Sequence, residues 1–74
     1  MGALRPIKPS KLLKILQEHY GYSARQGRGD HVVLFDQNGH HTVIQMAQKE
    51  LRQQIISMIL KQTNLKWEDI ERYL

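Results

Sequence analysis

The stretch HVVLFDQNGHHTVIQM, residues 31 to 46, leaves the backbone few options, because two apolar runs flank the pair Asn38-Gly39. Both residues of the pair tolerate positive φ, which makes them a strong short-range hairpin signal. A two-residue loop there sets Val33 opposite Ile44 and Phe35 opposite Thr42. These share a face with His31 and Met46, and that face is the expected core. Val32, Leu34 and Val43 then lie on the other face with Asp36, His41 and Gln45, a half-apolar surface suited to a protein partner. A longer loop exchanges the two faces, since side chains alternate across a strand.

Helical spacing flanks the hairpin. Residues 1–9 hold two prolines and read as an N-terminal arm. Ser10 is the expected N-cap of a helix whose apolar stripe is Leu12, Ile15, Leu16 and Tyr20, and Gly21 is its stop. Tyr22 to Gln26 reads as a weak edge strand, and Gly27 to Asp30 as a turn. From about Lys49 the period returns to helical, with Leu51, Ile55, Ile56, Ile59 and Leu60 on one side, predicting a long and mostly buried helix that Thr63-Asn64 breaks. A short last helix follows, with Glu68 and Asp69 at its positive end and Trp67, Ile70 and Leu74 as anchors. Helices packed on one face of a three-stranded antiparallel sheet, an α+β fold, is the layer solution this order favours.

The 74 residues are read as one domain, since so short a chain leaves no room for a second core. Without cysteine there is no disulfide or thiolate chemistry, which suits the cytoplasm. No apolar run approaches the roughly 20 residues of a membrane span, so no membrane association is expected. Eleven Lys and Arg against seven Asp and Glu give a net charge of +4, which suits a polyanion such as RNA. The cations concentrate early, at Arg5, Lys8, Lys11, Lys14, Arg25 and Arg28. His19, His31, His40 and His41 read as solvated rather than as a metal site, because no carboxylate joins them at ligand spacing. No metal and no cofactor is expected.

A Leu-rich first helix ending in Gly21-Tyr22, then Arg25-Gln26, then Gly29-Asp30-His31 opening a strand, a hairpin, and Lys49-Glu50-Leu51 before a second helix together resemble the HicA-type, or YcfA-like, mRNA interferase toxins. The resemblance covers almost the whole chain. It implies a double-stranded-RNA-binding-like α-β-β-β-α fold with a short extra C-terminal helix. It also implies a metal-independent endoribonuclease acting on mRNA, monomeric alone and held inactive in a complex with a HicB-type antitoxin. His31 stands at the catalytic position of that family. Asp30 replaces the usual serine, Gly27 shifts Arg25-Gln26 one place early, and Ile44-Gln45-Met46 replaces a Pro-x-His.

RNA brings its own nucleophile, the 2'-hydroxyl, so cleavage requires a base, positive charge at the phosphate and an acid for the leaving oxygen. A histidine titrates near neutrality and can serve as either. The expected set is therefore His31 as catalytic acid or base, with Lys11, Lys14, Arg25, Arg28 and the Gly29 backbone holding RNA. Asp30 admits two effects: it can favour the protonated imidazole, or it can repel phosphate. A catalytically silent RNA-binding module and a protein-interaction domain are the alternative functions.

Overall fold

Pro9 starts the first helix in the computed structural model, which describes residues 4–74. In α1 (Pro9–His19) Lys8 takes the N-cap position, and its carbonyl accepts the Leu12 N–H at 3.2 Å. The expected Ser10 cap gives way to a proline ring whose φ is already helical. Leu12, Ile15 and Leu16 are buried along one side of the helix. Beyond its last turn the Tyr22 N–H returns to the Leu16 carbonyl at 3.1 Å, closing the helix around Gly21 as expected.

Three strands follow as an antiparallel meander: β1 (Ser23–Gln26), β2 (His31–Phe35) and β3 (His41–Gln45). The weak segment before the turn is a strand, with Ala24 opposite Leu34 and Arg25 opposite Val33.

The hairpin register differs from the expected one by a residue. Val32 pairs with Ile44, Val33 with Val43 and Leu34 with Thr42. Asp36 supplies the cause. Its N–H donates to the His40 carbonyl at 3.0 Å, and its Oδ1 accepts the N–H groups of Asn38 at 3.1 Å and His40 at 2.8 Å. The loop is thereby held at Gln37, Asn38 and Gly39, and of these only Gly39 has a positive φ, 87°. That is the pattern of a turn followed by one left-handed residue. The extra loop residue exchanges the faces of β2 alone: Leu34 is buried and Val32 turns inward, beside Thr42 and Ile44 of β3, which are buried as expected. The partner surface expected at Val32, Leu34 and Val43 is therefore corrected: Leu34 is 0% exposed, and only Val43, at 38%, lies outside.

Residues after β3 tie the termini of the fold together. Leu51 N–H donates to the Ile7 carbonyl at 2.7 Å, so Ile7 is a core residue and the arm expected over residues 1–9 docks from there on. Its first three residues lie outside the described ones. This bridge delays α2 (Gln53–Thr63), whose Ile56, Ile59 and Leu60 face the core while Ile55 and Met58 are exposed. The helix is amphipathic rather than mostly buried. Asn64, at φ 58°, closes it, and the Thr42 hydroxyl donates to Gln62 Oε1 at 2.6 Å to join sheet and helix.

In α3 (Trp67–Glu71) the Asp69 carboxylate accepts the Lys66 N–H at 2.8 Å, and Ile70 is buried. The Tyr20 hydroxyl donates to the Asp69 carbonyl at 2.7 Å, and the His19 and Tyr73 rings stack 3.6 Å apart, so α3 is fastened to the end of α1. Leu74 is exposed and anchors nothing. The result is the α+β arrangement expected, a three-stranded antiparallel sheet with helices on one face and a short helix at the end. Among the described residues no helix is long and apolar enough to cross a membrane.

The register makes a direct prediction. Leu34→Ala should cost about 2–5 kcal/mol in urea unfolding, whereas Val43→Ser should stay within about 0.5 kcal/mol. The opposite order would contradict the pairing.

Candidate nucleic-acid interface

His31 opens β2 with its side chain on the outer face of the sheet, opposite the layer formed by α1 and α2. The turn before it fixes that position. His31 N–H donates to the Arg28 carbonyl at 2.9 Å, Gly29 takes a φ of 56°, and Gln26 Nε2 donates to the Gly29 carbonyl at 2.8 Å. Gly27 N–H donates to the His31 carbonyl at 2.8 Å. A Cβ at Gly27 would come within 3.1 Å of that oxygen and 3.3 Å of Val33 Cγ2, so the strand admits no side chain there without moving. The glycine that departs from the pattern of the resembled family thus suits the close approach of β1 and β2.

Asp30 clamps the same turn to the exit of β3. Its carbonyl accepts the Met46 N–H at 2.9 Å and its Oδ2 accepts the Ala47 N–H at 3.2 Å. The remaining oxygen, Oδ1, lies 3.9 Å from His31 Nε2. Across the strand pair, Gln45 Nε2 lies 3.2 Å from the same ring nitrogen, and its amide donates when that nitrogen is unprotonated. The imidazole is held between an amide and a carboxylate with 41% of its side chain exposed. Such a group can accept a proton from a bound molecule or give one to it.

The cations are divided between two sides of the molecule. Arg28 and Gly29 are exposed in the turn that carries His31. Arg25 shares the outer face, but its guanidinium sits over the Phe35 ring, 5.9 Å from the centroid, toward the far end of the sheet. Lys11 and Lys14 are exposed on α1, in the layer behind the sheet, and no hydrogen bond or ion pair links them to His31.

His40 and His41 lie at the hairpin end, as the sequence leads one to expect. His40 Nδ1 is 3.0 Å from Asp36 Oδ2, while His41 pairs with Phe35 on the outer face. Among the described residues no group of three or more His, Asp or Glu side chains gathers as a metal site requires.

The exposed Phe35 was expected in the core, whereas His41 lies on the outer face as expected. With Arg25 and Val33 they line a shallow depression of about 270 Å³. The signal in the sequence is Asp36, which lengthens the loop and turns Val33 and Phe35 of β2 outward.

Comparison with protein-family models and with curated proteins finds no match.

Burial works to raise the Asp36 carboxyl, but the hydrogen bonds from the His40 ring and from the His40 and Asn38 N–H groups outweigh it and hold it below the ordinary range. The buried Tyr22 hydroxyl is pushed up to about 12, by burial first and then by the Asp36 charge. A depressed carboxyl contributes stability that is fully present above its unfolded value, near 3.9, and lost as pH falls through its folded value. Asp36→Asn should therefore melt below wild type at neutral pH. The gap should close as acid protonates Asp36, and melting curves between pH 7 and 2 will show whether it does.

Proposed function

We propose that the chain is a metal-independent endoribonuclease, an mRNA interferase toxin that acts in the cytoplasm and is restrained by a HicB-type antitoxin. The observation that carries this reading is the setting of His31. It is an exposed imidazole on an open sheet face, flanked by Gln45 and Asp30 and preceded by a glycine-containing turn that exposes Arg28.

Neutral His31 removes the proton from a 2'-hydroxyl, and that oxygen attacks the adjacent phosphorus. The bond to the 5'-oxygen breaks, the leaving oxygen takes up a proton, and the products are a cyclic phosphate and a 5'-hydroxyl. Arg28 and the turn N–H groups offset the charge gathering on the phosphate. Asp30 Oδ1 lies 3.9 Å from the ring nitrogen, beyond hydrogen-bond distance. One histidine does not act as base and acid in a single step, so water completes the transfer and turnover is slow. An acidic antitoxin segment lying over Arg28 and His31 would neutralise the turn and exclude substrate with the same contacts.

A second reading has one observation in its favour. The Arg25 guanidinium is committed to Phe35 rather than to His31, which suits binding of RNA without cleavage.

Purified protein and a His31→Ala variant, incubated with labelled structured RNA with and without EDTA, separate the two. EDTA-resistant cleavage ending in cyclic phosphate, reduced roughly 100-fold or more in the variant, is the expected result. Cleavage that survives His31→Ala, or that EDTA abolishes, would overturn the assignment. Intact RNA that still shifts on a gel would leave the binding module.

A further inference from the structure

The outer face of the sheet carries aromatic and apolar surface that is left partly exposed, with the Arg25 guanidinium over the Phe35 ring. Phe35, the only phenylalanine of the chain, is 41% exposed and Val43 beside it 38% exposed. The rim beside Phe35 carries one cation and an imidazole: Arg25 approaches the ring from β1 and His41 stands directly opposite it on β3. His31, with the Asp30 carboxylate 3.9 Å away, lies at the other end of the same face. No outward strand position on this face is acidic.

We propose that this face is a stacking platform for an unpaired base of single-stranded RNA, with Phe35 as the aromatic floor and Arg25 and His41 holding the flanking phosphates. The proposal rests on RNA being the partner, as proposed above, and adds which form of RNA enters. A base inside a duplex is already stacked on both sides and cannot offer its face to a ring on a sheet. Unpaired bases can, and proteins that bind single strands pair aromatic side chains with a cationic track for the backbone. The charge of the rim argues for this occupant over an apolar protein surface, which would have to bury the guanidinium of Arg25.

The geometry also sets a register. Phe35 is four residues along β2 from His31, about 13 Å at strand rise. The base on Phe35 is therefore not the one flanking the phosphate at His31. Instead the platform fixes how an extended strand runs along β2 and which phosphate reaches the imidazole.

The experiment measures binding of a short fluorescent RNA, single-stranded or annealed to its complement, to wild type and to Phe35→Ala, Phe35→Trp and Val43→Ser. The same preparations are assayed for cleavage alongside His31→Ala. Melting curves confirm that each variant is folded, as the exposure of these side chains leads one to expect. The expected result is preference for the single strand, a loss of about 5- to 150-fold in Phe35→Ala, equivalent to one lost base stack, and affinity retained in Phe35→Trp. The added tryptophan emission should be quenched by a bound base.

Equal affinity for duplex and single strand, or no loss in Phe35→Ala, overturns the platform even where His31-dependent cleavage is found. Phe35-dependent binding of single strands without cleavage upholds the platform and removes the nuclease. Failure to bind either RNA overturns both, and leaves a protein as the occupant of the face.

Discussion

The hydrogen bonds of one carboxylate at the end of β2 govern the rest of the molecule. Asp36 Oδ1 takes two backbone N–H groups of the loop and Oδ2 meets the His40 ring, so the hairpin closes around Gln37, Asn38 and Gly39 rather than around Asn38-Gly39 alone. Because strand side chains alternate, that single residue decides which face of β2 is buried against the helices beside Thr42 and Ile44 of β3. With the loop as it is, Leu34 and Ile44 meet the helices and Thr42 can reach Gln62. A shorter loop would send Phe35 into the core and Leu34 to the surface. The placement of His31 on the same open face as Phe35 is thus a consequence of loop chemistry five residues, or roughly 17 Å, away along the strand.

The other end of the hairpin is built to a different plan. There the chain spends its hydrogen bonds on joining three segments: Gln26 closes the turn, Gly27 lets β1 approach β2, and Asp30 reaches across to the exit of β3. The carboxylate that distinguishes this turn from the serine of the resembled family has a structural partner in the Ala47 N–H, which occupies one of its oxygens. Its influence on His31 passes through the other oxygen, at 3.9 Å, a distance at which a charge still matters and a hydrogen bond does not form.

Much of this was legible in the sequence. Element order, the three strands, the end of α1 at Gly21 and the break after Thr63 follow from apolar period and turn residues, signals that act locally. What was not legible depends on competition between local signals. Asn38-Gly39 suggests one loop and Asp36 another, and nothing in the apolar pattern decides between them, because both faces of the hairpin carry valine, leucine or phenylalanine. Ser10 lost the N-cap position to Lys8 by the same kind of competition, because Pro9 starts the helix ahead of it. Leu74 and Ile55 were misplaced for a different reason: helical spacing identifies a stripe, but how much of it the neighbouring elements cover is decided by tertiary contacts such as the bridge from Leu51 to Ile7.

The division of charge bears on how the proposed RNA would lie. Lys11 and Lys14 are exposed on the helix layer, whereas Arg25, His31 and His41 belong to the opposite face and Arg28 to the turn at its end. A single strand lying flat on the sheet would meet only the second group at contact distance. The lysines would act through the longer-range potential of a molecule of net charge +4, which salt screens beyond roughly 10 Å. Contacts on the sheet would then set which nucleotide stops at His31, while the helix layer would raise the rate of encounter without selecting among sequences. An antitoxin has the reverse requirement. To inhibit, it needs to cover only the sheet face and the turn, leaving the cations of α1 exposed in the complex.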